Sequence, residues 1–282
     1  MNDLLQAAAE SAQTLIAAAF GRAVPENPQG ARPDGTVTLP RRAEHGDLTA
    51  NHALIGAAAL GLPPAELARR LARNMDLDGS CFAAVDAAGA GFLNFMLSDA
   101  WYGAVLDEAA RLATPPTALA TPPTALAAPK TAADELRLFP RTDVVPVEEL
   151  SRRGDMANGV YCVRYAYARM GAVIENYAAA ARPVYPAETA DAARLSHPAE
   201  RALIKLVAAL PGECACAGER RDAAALCGYA LRLADGFYAV YALHGYFSAD
   251  EHTLAQRLRL LAAARRALGY ALDRAGVNKN MI

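Results

Sequence analysis

No apolar run in this 282-residue chain reaches the eighteen or so residues that a spanning helix needs, so an integral membrane protein is not expected. The opening MNDLLQAAAE carries acidic residues and no basic stretch, so it does not read as a signal peptide. Cysteine is scarce and odd in number, five in all, which excludes a disulfide scaffold and points to a reduced, cytoplasmic protein. Neither sign of charge dominates. Lys and Arg number 28 against 30 Asp and Glu, a net charge of −2, and this gives no strong drive toward nucleic acid or membrane. Several chemical signatures are missing as well. There is no G-x-x-x-x-G-K-[ST], no G-x-S-x-G and no H-E-x-x-H. The GAG at 89–91 lacks a third glycine and leads into a strand-like run, so it is no dinucleotide fingerprint. Cys214 and Cys216 are two apart, with Cys227 further on, where a structural zinc site wants C-x₂-C pairs. His45, His52, His197, His244 and His252 form no ligand-spaced pair and read as ordinary surface histidines. No metal and no cofactor is expected.

What is present is a core-forming composition, 54% hydrophobic and 21% charged, long enough for two modest domains. The charge divides. Residues 1–112 carry 8 basic and 13 acidic side chains, residues 135–282 carry 19 and 16, and Lys130 and Asp134 balance between them. The boundary is marked by an exact duplication, ATPPTAL at 113–119 and again at 120–126, followed by AAPKTAA. Prolines 115, 116, 122, 123 and 129 remove donors and fix φ, so 113–134 reads as an extended spacer between domains 1–112 and 135–282.

The first domain reads as mixed α and β. A helix is expected over 3–20 (Leu4, Leu5, Ala8, Leu15 and Phe20), then a Gly/Pro-rich break at 21–35 and a β-prone Thr36–Leu39. Asp47 is expected to cap a helix running to Leu60 and ended by Gly61, and Pro63–Pro64 opens another that carries Leu67 and Leu71. Cys81–Val85 and Phe92–Leu97 read as strands about the turn AAGAG, and Ser98 caps a helix with Trp101, Val105 and Leu112. Helices on a small antiparallel sheet are the expected outcome. The second domain reads as a bundle of four or five helices. One runs from Val160 to about Ala180, with Tyr161, Tyr165, Ala168 and Ala172 on one face. Another starts at Pro198 and carries Leu203, Ile204, Leu206 and Val207. A long one spans 219–244 with Leu226, Leu233, Phe237 and Tyr241. A last one, to about Arg274, opens at the S-x-x-E box of Ser248 and Glu251.

Two further stretches carry a resemblance. PRRAEHGDLTANHA (40–53) and DAAGAGFLNFML (86–97) together resemble the N-terminal additional domain of arginyl-tRNA synthetases. Gly46, Asp47, Thr49, Asn51 and Ala53 match its helix-start motif, and Gly91, Phe92, Leu93 and Asn94 its G-F-[IL]-N strand. GVYCVRYAYARMGAVI (159–174) resembles the helix that opens the same family's DALR anticodon-binding domain. HPAERALIKLVAALP, YALRLADGFYAVY, AQRLRLLAAARRALGYAL and the final Asn280-Met281-Ile282 follow in order. In that helix the family's Gln and His are Arg164 and Tyr167, while Tyr165, Ala166, Ala168 and Arg169 keep the pattern. The catalytic domain that separates these modules in the family, with its HIGH and KMSKS motifs, has no counterpart. His52-Ala-Leu-Ile-Gly56 is a false echo inside the first module, and twenty-odd linker residues cannot hold a domain.

The resemblance implies a non-catalytic tRNA-binding protein acting in translation, with an arginine tRNA as the family's partner. The first module would contact the D-loop side of the tRNA elbow, the second the anticodon loop. Single-stranded RNA is read by stacking splayed bases on aromatics and guanidinium planes. That makes Phe92, Asn94 and Phe95 candidates in the first module, and Arg164, Tyr165, Tyr167, Arg169 and Met281 in the second. If Leu93 and Phe95 are core, strand alternation leaves Phe92 and Asn94 as the exposed pair. The bland counterpart is that the phenylalanines and tyrosines are core and the arginines solvated. Two other functions stay open: a repurposed protein-interaction module, and a subunit completed in trans by a separate catalytic chain.

Overall fold

Two structural units account for the described part of the computed structural model, which covers residues 1–24, 34–40, 42–112, 129, 131–139, 158–179, 189–243 and 245–279. Most of the duplicated ATPPTAL spacer, His244 and Met281 lie outside the described residues. One unit is Leu4–Tyr102, and the other joins Met1–Asp3 to Gly103–Ile282.

The first unit is α+β. Helix α1 (Leu4–Ala23) buries an i, i+4 stripe of Ala8, Ala12, Ile16, Ala19 and Ala23, with Phe20 beside it. These small residues let it pack closely on α3 (Pro64–Arg73), whose Leu67 and Leu71 are fully buried. Strands β1 (Val37–Thr38), β2 (Leu48–Ala50), β3 (Phe82–Ala88) and β4 (Phe92–Leu97) form an antiparallel sheet in the order β1-β2-β4-β3. Its inner face is Leu48, Ala50, Leu93, Phe95 and Leu97. Helix α2 (His52–Leu60) is ended by Gly61 in the left-handed region at φ 64°, and α4 (Asp99–Ala110) is capped by Ser98, whose hydroxyl accepts from the Trp101 amide.

One expectation fails here. Asp47 caps no helix, because residues 48–50 form β2 and α2 begins only at His52. Its carboxylate instead accepts from the Leu97 amide and the Tyr102 hydroxyl, each at 2.8 Å. It therefore ties the lead-in of β2 to the end of β4 and the start of α4. His52, read as a surface residue, is buried at the start of α2. Its HALIG sequence thus lies on a helix of this unit.

The second unit is helical: α5 (Ala132–Arg137), α6 (Gly159–Ala179), α7 (Pro198–Ala208), α8 (Leu210–Arg220), α9 (Ala223–Tyr241) and α10 (Glu251–Ala275). Helix α9 is central and packs on α6, α7, α8 and α10 through Leu226, Tyr229, Leu233, Phe237 and Val240. Two expected helix starts shift. The long helix expected at 219–244 is broken at Arg221, which sits in the left-handed region at φ 52°. Asp222 then caps α9 by accepting from the Ala224 and Ala225 amides. The Ser248/Glu251 box does not form. Asp250, nearer and charged, accepts from the His252 and Thr253 amides and makes Glu251 the first helical residue. At α7 the cap is His197, whose Nδ1 accepts from the Ala199 amide while Glu200 accepts from the His197 amide.

Candidate nucleic-acid interface

On the outer side of the first unit's sheet lies a cavity of about 490 Å³, a size suited to a small ligand or a single base. Leu39, Pro40 and Phe92 supply its apolar lining. Arg42, His45, Thr49 and Asn94 supply the polar groups. Phe92 is 38% exposed, whereas Leu93 and Phe95 are fully buried. The alternation therefore puts Leu93 and Phe95 in the core and Phe92 outside, and this removes Phe95 from the candidates: its ring packs on Phe82 at 4.8 Å and presents no face to a ligand. Asn94 is covered, at 5% exposure, yet still lines the cavity. Thr49 donates to its Oδ1 at 3.0 Å, which fixes the amide and leaves its Nδ2 hydrogens as the donors it can offer.

Other motif residues, Gly46, Asn51, Ala53 and Gly91, support this cavity without lining it. Gly46 sits at φ +80°, and a Cβ there would lie 2.8 Å from the Phe95 carbonyl oxygen. Asn51 accepts from the Thr36 amide at 2.7 Å and pins β1, while Ala53 is fully buried. Gly91, at φ +129°, lets the β3–β4 turn touch Pro64, where a Cβ would meet that ring at 2.7 Å.

The second unit presents a different surface on α6. Tyr161 and Tyr165 stack at 5.9 Å and 22°, and Tyr165 stacks on Tyr238 of α9 at 6.4 Å and 26°. Tyr165 is 38% exposed. The Tyr238 hydroxyl donates to the Cys162 carbonyl at 2.9 Å, and burial pushes its pKa up, so it stays a neutral donor. One turn on, the exposed Arg169 lies over the Tyr241 ring, 5.2 Å from its centre, and donates to the Tyr241 hydroxyl through Nε (2.9 Å) and an Nη. That contact holds the guanidinium's own pKa up. Asp235, on the same helix as Tyr238, puts a negative charge nearby; after burial itself, it helps push the Cys162 thiol to about 11.

The other two α6 candidates turn inward. Arg164 is 8% exposed; it ion-pairs with Glu135 at 2.8 Å and donates to the Asn278 carbonyl at 2.6 Å. Tyr167 is equally covered, with the Arg265 guanidinium 4.3 Å from its ring centre. Three residues apart they do share a face, but it is the packed one, so neither side chain is presented to RNA. Thr49, Leu39, Arg42, His45, Tyr238 and Tyr241 were absent from the sequence candidates. Only the i, i+3 pair Tyr238/Tyr241 and the i, i+4 pair Tyr161/Tyr165 left a periodic trace.

Comparison with known proteins matches both units. The family described as arginyl tRNA synthetase N terminal domain matches residues 10–97, and that described as DALR anticodon binding domain matches residues 163–279. The chain is arginyl-tRNA synthetase-like. The synthetase-like chain also resembles curated arginine–tRNA ligases over its N-terminal part. It is 37% identical over 70 residues to that of Acetivibrio thermocellus, covering 25% of this chain and 12% of that protein. For Jannaschia sp. it is 42% over 73 residues, covering 26% and 12%. For Nitratidesulfovibrio vulgaris it is 46% over 72 residues, covering 25% and 13%. The matched stretch thus spans about an eighth of each relative's length. The N-terminal family match, over 10–97, includes both Asp47 and Asn94. No helix among the described residues is long and apolar enough to cross a membrane. Among the described residues no group of three His, Cys, Asp or Glu could hold a metal ion.

Proposed function

We propose that this chain is a non-catalytic tRNA-binding protein, in which residues 1–112 contact the D-loop side of the tRNA and residues 135–282 the anticodon loop, joined by the spacer 113–134. An arginine-accepting tRNA is its preferred partner. The observation that carries this reading is the exposed tyrosine stack with Arg169 beside it, on a helix of a DALR anticodon-binding domain. Flat rings and a guanidinium plane at one surface match what unstacked loop bases need, since base–aromatic stacking tolerates any base. The Phe92/Asn94 cavity supplies a second, smaller grip: one exposed ring and one amide for a base edge. Aminoacylation is not expected of it, because the sequence carries neither a HIGH nor a KMSKS motif.

The test is titration of the purified chain with arginine tRNA and with total tRNA over about 50–200 mM salt. Saturable binding that falls steeply with salt and is weakened by Tyr165→Ala and by Asn94→Ala is the expected result. No binding at the low-salt end overturns the reading. The second reading, a protein-interaction module, then takes its place. It is favoured by α2, whose Leu54 and Ile55 are exposed within a stretch, 50–65, that has no Asp, Glu, Lys or Arg. Capture of a separate catalytic chain by that module, with aminoacylation restored, would identify it as a subunit completed in trans.

A further inference from the structure

Arg164 of α6 is a charged side chain that is not left in solvent. Arg164 joins three elements that are far apart in sequence. Its Nη2 meets Glu135 Oε2 of α5 at 2.8 Å, and its Nε meets the Asn278 carbonyl at 2.6 Å. The third side of the triangle is closed by the Asn278 amide, which donates to the other Glu135 oxygen at 3.1 Å. Both oxygens of one carboxylate and two faces of one guanidinium are thus engaged, and both side chains are largely buried. The neighbouring contacts agree. Gly276, left-handed at φ 72°, ends α10 and turns the chain back, so that Val277 is buried. The ammonium of Lys279 lies 5.9 Å from the centre of the Tyr167 ring. Helix α5 is itself set by a capping box between Thr131 and Asp134.

On α6 this matters because of helical spacing. Residues 165 and 169 border α9 through Tyr238 and Tyr241, and residues 164 and 167 border the segment 276–279. At 100° per residue, the half-buried Tyr161 and Ala172 and the exposed Ala168 fall between these two borders. Segment 276–279 is then the second wall of a groove whose first wall is α9.

We propose that Glu135 and Arg164 form a latch that docks residues 276–279 on α6, and that Arg164 serves RNA binding only as a positioning residue for that wall. The wall half rests on the tRNA reading above; the latch half does not. The two roles open to Arg164 predict opposite signs. A phosphate contact at Arg164 would let Glu135→Gln, which removes a nearby negative charge, tighten tRNA binding. It would also make Arg164→Gln lower the salt slope by about one unit. A latch makes both variants weaken binding about tenfold with the slope unchanged. It also makes them raise hydrogen exchange at the Val277 and Asn278 amides at least tenfold. Exchange in α7 and α9, read in the same experiment, separates release of the segment from loss of the fold. Tightening in Glu135→Gln, or unchanged exchange at 277–278 in both variants, overturns the proposal. If the wild-type chain binds no tRNA, the wall half is overturned with the tRNA reading, and the exchange result alone decides the latch.

Discussion

Phe92 and Phe95 stand three residues apart on one strand and do unrelated work. The Phe95 ring is sealed in the core against Phe82, so Phe95→Ala is expected to cost about 3–5 kcal/mol of unfolding free energy, measured by urea denaturation. The Phe92 ring borders the cavity and is partly wet, so Phe92→Ala should leave the urea midpoint nearly unchanged and weaken tRNA binding by about 1–3 kcal/mol. A Phe92→Ala chain that unfolds early but binds normally would assign the ring to the core. His52 acts through its charge state. Burial lowers its pKa below the ordinary 6.5, and the charge of Asp34 only partly opposes this. A histidine whose folded pKa is depressed binds more protons when unfolded. Its contribution is therefore fully present above about pH 6.5 and is lost as pH falls through the lower folded value. Melting temperature should fall with pH below 6.5 in the wild type, and His52→Leu should flatten that part of the profile.

At the scale of elements, capping residues decided where helices begin. Asp250 and Asp222 displaced the starts that pattern alone suggested, because a carboxylate next to free amides wins over a serine two residues earlier. The faces of α6 followed a similar logic. The expected apolar face of Tyr161, Tyr165, Ala168 and Ala172 is the outer one. The packed face holds Val163, Arg164, Tyr167 and Met170, because Glu135 and Arg265 neutralise or cover its polar atoms. On α9, Asp235 is three residues before Tyr238 and close enough to act on the Cys162 thiol, so it would repel a phosphate bound at the tyrosine stack. Asp235→Asn should therefore tighten tRNA binding, most at low salt, in a filter-binding or anisotropy titration. Equal affinity at about 50 mM salt would place the RNA away from α9.

For the whole molecule, the two units carry different chemistry. One offers a cavity with a single exposed ring, the other an aromatic surface with a cation. With a net charge of −2, binding depends on local contacts rather than on a basic field, so affinity should be modest and specificity local. The chain, given ATP, arginine and arginine tRNA, is expected to support neither pyrophosphate exchange nor arginyl-tRNA formation. Measurable exchange by the pure chain would overturn the non-catalytic reading.

The sequence by itself determined the α+β and helical classes, a strand pair about the AAGAG turn (expected at 81–85 and 92–97, found at 82–88 and 92–97), the Pro64 and Gly61 helix boundaries, and the two family resemblances. Those features depend on short-range preferences: alternation, fixed φ at proline, and left-handed glycine. Through the resemblance it also named Phe92 and Tyr165, but it named the buried Phe95 and Tyr167 with them. Only the tertiary structure decided the rest. Asp47 braces the end of β4 and the start of α4 some fifty residues away, Asn94 is oriented by Thr49, and Arg164 is buried because Glu135 and Asn278 meet it there. Each of these depends on which distant group arrives to satisfy a buried polar atom, and no local pattern of residues encodes that.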